Sequence, residues 1–248
     1  DRFYAAMQRN ALYLDLVAKE LREAEPHVGP EDFITRIADD PDNLFSYAIE
    51  RLRKHEIQWE TVLKPTLGVL LAAHQPLSQR AIRMLIGQSD DATRRGIRRL
   101  GGLASSDGAN RYSLYHRKFV DYLREDPAQP RKAFVFAVDE EQALHQRLAD
   151  WCSNDSNGLG VIWDDARDDP LEQERRLYAR LHYIEHLAAA RVYPQLWNVM
   201  DAGEYGQAKL RFDPSTHGYA LDLDVSRQAA LDALNAHHGM PARLLPRL

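Results

Sequence analysis

The sequence predicts a mainly α-helical protein with a winged helix-turn-helix at its centre. Apolar residues recur at spacings of three and four along most of the chain, which is the periodicity of an amphipathic helix. One Asp-Gly turn, at 107–108, precedes an alternating apolar and polar stretch, which is typical of a β-hairpin. The predicted fold class is a helical domain, then a winged helix-turn-helix with one short β-hairpin, then an α-helical linker or stack.

The first predicted domain covers residues 1–60. A long helix is predicted at 2–24, and the segment 26–30, Pro-His-Val-Gly-Pro, ends it because proline and glycine interrupt helices. A short helix is predicted at 31–38. Asn43 is then predicted to cap a third helix. The apolar face of that helix contains Leu44, Tyr47, Ala48 and Leu52.

The second predicted domain, 61–126, has the more specific pattern. Its elements, in chain order, are a buried helix at 61–74, a turn at 75–78, helices at 79–87 and 91–103, a β-hairpin at 104–115 and a helix at 117–123. Ser78 can cap the second of these helices, and Ser89 with the two aspartates after it can cap the third. This order of elements is that of a winged helix-turn-helix.

The third predicted domain, 127–248, begins at a proline-rich break and consists of helices joined by loops. The predicted helices lie at about 138–152, 171–190, 192–202, 204–210 and 224–237, with a loop at 153–160. Consecutive helix pairs suit a small α-helical stack. The final segment, GMPARLLPRL at 239–248, is apolar and has no evident partner within the chain.

Composition restricts the function classes. The chain has 248 residues, of which 44% are hydrophobic, so it can bury several small cores. Its formal net charge of −5 disfavours general binding to polyanions. The single cysteine, Cys152, excludes a disulfide framework and predicts a reducing, cytoplasmic location. No apolar run reaches the length of a membrane span. Because the first residue is not Met, we expect a fragment of a longer protein.

One five-residue motif, HYIEH at 182–186, matches the H-x-x-E-H pattern of inverted zinc peptidases. His182 and His186 lie at i and i+4, the spacing of two zinc ligands on one helix face, and Glu185 would be the general base. Such a site also needs a third ligand, and the only later glutamate is Glu204. Short matches on helices arise often by chance. Helix packing or a surface role is therefore the favoured interpretation, a zinc peptidase is the weaker alternative, and we expect no bound metal.

A second set of candidates lies on the predicted helix at 91–103, where winged-helix regulators place their contacts to DNA. Its arginines could reach phosphates and guanine edges. They are Arg94, Arg95, Arg98 and Arg99. Asp90 and Asp91 at the start of the same helix would repel a phosphate backbone. A DNA-binding regulator is therefore the alternative function, and DNA is not the expected partner.

Two further patterns bear on catalysis. Cys152 and His145 are residue types that can form a nucleophilic pair, but nothing else in the sequence indicates an oxyanion site, so a buried structural thiol is favoured. The sequence contains no G-x-x-x-x-G-K-[ST] loop, and no G-x-G-x-x-G follows a predicted strand. We therefore expect this chain by itself to have no enzyme activity and to hold no cofactor.

Three stretches of the chain, 9–21, 44–78 and 112–123, carry a family resemblance. They read RNALYLDLVAKEL, LFSYAIERLRKHEIQWETVLKPTLGVLLAAHQPLS and YSLYHRKFVDYL. In order, they are similar to the start of the helical domain, its passage into the winged helix, and the Leu-x-His-x-x-Phe end of the winged helix in STAND-class signalling NTPases, the NACHT and NB-ARC group. The helical part at 177–200 is similar to linkers that precede WD40 or TPR sensor repeats.

The resemblance implies a regulatory fragment that couples the nucleotide state of a parent ATPase to a sensor and to oligomerisation, in signalling or bacterial defence. It implies ADP or ATP with Mg in the parent protein. The implied partners are an N-terminal nucleotide-binding domain, a C-terminal repeat sensor and further copies of the protein, with no membrane.

The resemblance also assigns two residues. His116 corresponds to the family histidine that contacts the β-phosphate of ADP, and Ala11 to a proline near the adenine. Two neighbouring positions depart from the family pattern, because Arg117 stands where many members have Asp and Arg9 where they have Gly. Apart from the resemblance, His116 at a strand-to-helix junction can also be a core residue or a hairpin-capping residue.

Overall fold

The computed structural model describes residues 17–18, 42–54, 56–128, 134–153, 159–164 and 169–235. These residues are mainly α-helical, with one small three-stranded antiparallel sheet. The chain divides into two compact units, 1–137 and 138–248, called unit 1 and unit 2 below. The predicted division into three domains stays a prediction. Apart from the helical pair 17–18, these earlier predictions lie outside the described residues: the helices at 2–24 and 31–38, the resemblance at 9–21 with Ala11, and the segment 239–248.

In unit 1, helix α1 (Asp42–Arg53) packs its apolar face on a later helix, α6 (Arg117–Leu123). The ring centroid of Phe45 lies 5.2 Å from that of Phe119 and 5.6 Å from that of Tyr122. Because α1 already includes Asn43, the prediction that Asn43 caps this helix is wrong. Apolar periodicity marks the buried face of a helix and not the residue at which the helix begins.

The centre of unit 1 is a helical segment in three parts. It consists of α2 (Glu56–Gln58), a π-helical turn (Trp59–Leu63) and α3 (Lys64–Ala72), so the predicted helix at 61–74 begins earlier and ends earlier than expected. All residues from 66 to 72 are buried, as expected of a helix that is apolar on every side. The next long helix, α5 (Asp90–Leu100), approaches closely, since a Cβ at Gly96 would lie 2.5 Å from Cγ1 of Val62.

Two serine caps predicted from the sequence are confirmed. Ser78 Oγ accepts a hydrogen bond of 3.1 Å from the Ala81 N–H at the start of α4 (Gln79–Ile86). Ser89 Oγ accepts one of 3.2 Å from the Ala92 N–H at the start of α5. Each bond satisfies a backbone donor that the first helical turn leaves unpaired. Helix α5 is shorter than predicted, because residues 101–103 form a 3-10 turn instead.

The sheet of unit 1 contains β1 (Leu77–Ser78), β2 (Ala104–Ser106) and β3 (Arg111–Leu114) in the order β1-β3-β2, all antiparallel. Strands β2 and β3 form the hairpin that the Asp-Gly turn predicts. The prediction of a simple turn at 75–78 is wrong in part, because its last two residues form β1. A two-residue strand has no internal periodicity, and its partner β3 is distant in sequence.

Unit 2 consists of helices around a long central one. In chain order they are α7 (Val138–Ser153), a 3-10 segment (Leu159–Trp163), α8 (Pro170–Ala189), α9 (Tyr193–Asp201), α10 (Glu204–Phe212) and α11 (His217–Asn235). The core includes Leu148 and Cys152 of α7 and Tyr183, Ile184 and Leu187 of α8, all nearly inaccessible. None of the helices in the described part of the chain combines the length and the hydropathy that crossing a membrane requires.

Two predictions for unit 2 need correction. The predicted loop at 153–160 includes the first residues of the 3-10 segment. Helix α11 begins at His217, whereas the prediction began it at 224. The first turns of α11 hide their pattern because Asp222 lies inside, paired with a lysine, while Leu221 and Leu223 are 50% and 47% exposed. Here the charged residue is buried and the leucines are exposed, so a prediction based on apolar spacing places the start of the helix too late.

Candidate functional site

His116 lies between strand β3 and helix α6, as the sequence predicts, and it is the N-cap of that helix. Its ring Nδ1 accepts a hydrogen bond of 3.0 Å from the Lys118 backbone N–H. The helix is held below it by three buried residues, Phe119, Tyr122 and Leu123. His116 therefore caps the helix and not the hairpin, and the cap uses one of its two ring nitrogens.

The cap determines what the other ring nitrogen can do. Because Nδ1 of His116 accepts a hydrogen bond, the proton of the neutral ring must lie on Nε2. The side chain therefore presents an N–H donor, and in the described part of the chain no hydrogen bond occupies it. Arg117 and Lys118 beside it are exposed and basic. This junction suits an anionic acceptor such as a phosphate oxygen. The other residue assigned by the resemblance, Ala11, lies outside the described residues.

The arginines of α5 lie on its exposed side but are partly engaged. Asp91 contacts Arg94 at 2.9 Å and Arg95 at 2.5 Å. The hydrogen bond from Arg94, followed by the charge of Arg95, holds the pKa of Asp91 below its usual value. Arg99 donates to the side-chain oxygen of Gln58, whereas Arg98 is exposed. The four arginines therefore share one helix with a carboxylate that neutralises part of their charge.

The two histidines of the motif at 182–186 have different hydrogen-bond partners. Nδ1 of His182 lies 2.7 Å from Oε2 of Glu185. His186 is fully buried, and its Nδ1 and Nε2 bond to Nδ1 of His145 and to the Tyr178 hydroxyl, each at 2.8 Å. Both nitrogens of His186 are thus engaged inside the protein, and the zinc-peptidase alternative stays a prediction.

Cys152 and His145, the residues considered as a nucleophilic pair, both lie in α7. His145 forms the histidine pair with His186, as described above. Burial raises the pKa of the Cys152 thiol, so the thiolate needed for nucleophilic attack is disfavoured. The carbonyl of Cys152 accepts a hydrogen bond of 2.6 Å from Arg175. Cys152 therefore has the features of a structural residue.

Sequence reasoning missed the buried charges of unit 2. Glu172 accepts hydrogen bonds of 2.8 Å from Arg175 Nε and 2.7 Å from Arg176 Nε. The hydrogen bond from Arg175 is the main reason that the pKa of Glu172 falls to about 2. Lys209 and Asp222 form a second pair, with Nζ 2.9 Å from Oδ2. Arginine, lysine and aspartate normally mark an exposed face, so no local signal in the sequence announces their burial.

Unit 2 also contains a cavity of about 530 Å³ between α9, α10 and the 3-10 segment. Its walls include side chains of opposite charge, Glu204 and Arg211, and the half-buried indole of Trp163. Glu204, the residue considered as a third zinc ligand, therefore lies on this cavity. Neither Arg211 nor the Trp163 indole formed part of any predicted site.

Comparison of the chain with protein-family models, with curated proteins and with solved structures finds no match.

Proposed function

We propose that the chain is a regulatory part of a STAND-class ATPase of the NACHT or NB-ARC type. In this role it couples the nucleotide state of an adjoining ATPase domain to a sensor and to oligomerisation, in the cytoplasm. The observation that carries the proposal is the geometry of His116, whose cap leaves an Nε2–H donor beside two basic residues. The ligand that this donor suits is the diphosphate of ADP.

The order of elements in unit 1 supports the proposal. We interpret α3, β1, α4, α5, β2 and β3 as a winged helix-turn-helix, because the chain order and the sheet order β1-β3-β2 both suit that motif. Helix α6 would then follow the wing directly, with His116 at its start. A rigid module with a donor at its edge is the kind of element that a nucleotide can hold in one of two positions.

The coupling would be a shift between two populations. With ADP bound, the contact to His116 would hold the winged helix against the nucleotide-binding domain in a closed form. Loss of the contact would favour an open form that assembles through the sensor. This chain would hydrolyse no ATP, because its sequence contains no phosphate-binding loop, and ATP, ADP and Mg would belong to the adjoining domain.

The test compares two substitutions in the parent protein that carries the nucleotide-binding domain. His116→Ala removes both the cap and the donor, whereas His116→Asn keeps a capping side chain that is too short to replace the imidazole Nε2–H. A hydrogen bond to a charged group contributes roughly 1.5–3 kcal/mol, so both variants should release ADP about 10- to 100-fold faster than wild type.

Thermal unfolding of the same proteins separates the cap from the donor. His116→Ala should melt at a lower temperature, since loss of an N-cap costs about 1 kcal/mol, and His116→Asn should melt close to wild type. An ADP release rate that stays at the wild-type value in both variants would show that His116 only caps α6. That result would remove the observation on which the proposal depends.

A winged-helix DNA-binding regulator is the second candidate, favoured by the exposed arginines of α5. We expect its binding to mixed-sequence duplex DNA to be weak and to fall steeply with salt, because Asp91 engages Arg94 and Arg95. Fluorescence anisotropy across a salt series measures this. Nanomolar binding to one sequence at physiological salt, lost in Arg95→Ala or Arg98→Ala, would make this candidate the better one.

A further inference from the structure

The cavity of unit 2 is formed by matching faces of two helices. Gln195, Asn198 and Val199 of α9, with Ala202 directly after its end, line one wall. Glu204, Gln207, Ala208 and Arg211 of α10 line the other. Both sets have the spacing i, i+3, i+4, i+7, so each wall is one continuous helix face. A volume of about 530 Å³ is within the range of pockets that hold ligands. The cavity is therefore a groove about two helical turns long.

An aromatic wall lies opposite the middle of α10. The indole of Trp163 is 5.7 Å from the ring of Tyr205 and 5.9 Å from that of Phe212, so it lies between the two ends of that helix. The Tyr205 hydroxyl points away to Asp222, to which it donates a bond of 3.0 Å. Behind the groove, the buried pair of Lys209 and Asp222 connects α10 to α11. Contacts within the protein therefore hold this wall of the groove in place without a ligand.

The polar side chains along the groove match the needs of a peptide backbone. The Gln195 amide nitrogen donates 2.8 Å to the hydroxyl of buried Tyr183, which orients the amide and leaves its oxygen as an acceptor. Asn198 and Gln207 add two more side-chain amides. A carboxamide has the same donor and acceptor groups as a peptide unit, so such side chains can pair with a peptide main chain whatever its sequence.

The two charges of the groove are at opposite ends of its α10 wall. Glu204 and Arg211 are seven residues apart, which corresponds to about 10 Å along a helix. Neither has an ion-pair partner within the part of unit 2 that the structure describes, unlike Asp224 and Arg227 on α11, which lie 3.7 Å apart. An occupant that carries a cation at one end and an anion at the other would complement them.

We infer that this groove binds an extended peptide segment of a partner protein. An extended chain rises about 3.3 Å per residue, so charged residues two or three positions apart can reach both groove charges through the length of their side chains. The segment would place a basic residue at Glu204, an aromatic or apolar residue on Trp163, and an acidic residue at Arg211. The inference concerns unit 2 alone and does not depend on the proposed nucleotide-linked function.

The experiment uses the full chain and two synthetic peptides of opposite charge order, acetyl-Lys-Phe-Glu-amide and acetyl-Glu-Phe-Lys-amide. Proton–nitrogen NMR follows the indole resonance of Trp163, assigned with Trp163→Phe, at millimolar peptide. We expect one order to bind more tightly. An uncharged peptide, acetyl-Gln-Phe-Gln-amide, should bind about fivefold more weakly, because exposed ion pairs contribute modestly.

A charge exchange makes the result decisive. The double variant Glu204→Arg with Arg211→Glu should invert the preference between the two charged peptides. The matched control exchanges an exposed pair elsewhere, Asp224→Arg with Arg227→Glu, and should leave the preference unchanged. The inference would be overturned if none of the peptides shifted the Trp163 resonance, a result that would leave a small-molecule site as the alternative. It would also be overturned if the peptide preference survived the exchange of Glu204 and Arg211.

Discussion

Two helices each carry two arginines three and four residues after a carboxylate and use them in opposite ways. On α5 the side chains of Arg94 and Arg95 are 54% and 65% exposed, and both contact one surface carboxylate. On α8 the side chains of Arg175 and Arg176 are 5% and 3% exposed, and both contact Glu172. Water reaches more than half of each side chain in the first group, whereas the second group is buried and depends on its partners. The same residue type is therefore available for binding in one unit and structural in the other.

The buried group is tied to the backbone as well as to a carboxylate. Arg175 donates to the carbonyl of Cys152 at the end of α7, and Arg176 donates 2.8 Å to that of Asp164. Arg180 lies over the rings of Trp163 and Phe212, at 5.9 and 4.9 Å, and donates to the Ile162 carbonyl. These bonds join α8 to α7 and to the 3-10 segment. A buried charge that loses its partner is costly, so substitutions here should affect stability strongly.

The largest effect is expected at Lys209 and Asp222, whose side chains are 3% and 4% exposed. Lys209→Met should lower the free energy of unfolding by about 3–5 kcal/mol at neutral pH, because it leaves a buried carboxylate without its cation. Urea unfolding measures the loss. Lys209→Met with Asp222→Leu is the control, and it should recover most of the stability, since it leaves no unpaired charge.

The pH dependence of Lys209→Met sharpens the same prediction. Burial raises the pKa of Asp222, and the charge of Lys209 opposes that rise. Without Lys209 the folded-state pKa should rise further, so the carboxyl can take up a proton in the folded protein. The penalty in Lys209→Met should therefore decrease as the pH falls from about 7 to about 4. A penalty that is the same across this range would contradict an uncompensated Asp222 charge as its cause.

Glu172→Gln should have the next largest effect and lower the free energy of unfolding by about 3 kcal/mol. This value is at the low end for breaking a buried ion pair, because a quarter of the Glu172 side chain is exposed. In the folded protein the pKa of Glu172 is about 2, against an ordinary value of 4.5. Its contribution is therefore complete above the ordinary value and is lost as the pH falls through the folded value. The stability difference between wild type and Glu172→Gln should close over that acid range in unfolding experiments.

Asp91→Asn should have the smallest effect. It removes the carboxylate that contacts Arg94 and Arg95, but all three side chains are solvated. We expect a melting temperature within experimental error of wild type, since exposed pairs contribute little. The same variant should bind duplex DNA slightly more tightly, because two arginines are released. A clear drop in melting temperature would show that these pairs are structural and would remove the contrast between the two helices.

Local patterns in the sequence predicted much of the fold, for a physical reason. The caps at Ser78 and Ser89 and the hairpin around the Asp-Gly turn depend on contacts within a few residues, so short stretches of sequence specify them. The extent of α6 was predicted correctly on the same basis. The position of His116 at a strand-to-helix junction follows from these two neighbouring elements.

Only the tertiary structure decided what depends on distant partners. Strand β1 exists because β3 pairs with it. The first turns of α11 contain Asp222, which is buried because it forms an ion pair with Lys209 of α10. His186 lies inside, where it bonds to His145 of α7, 41 residues before it. The sequence by itself determined the mainly helical class, the capped helices and the hairpin, since these are local. It could not distinguish a solvated arginine from a buried one, because burial of a charge is decided by the groups that other parts of the chain bring to it.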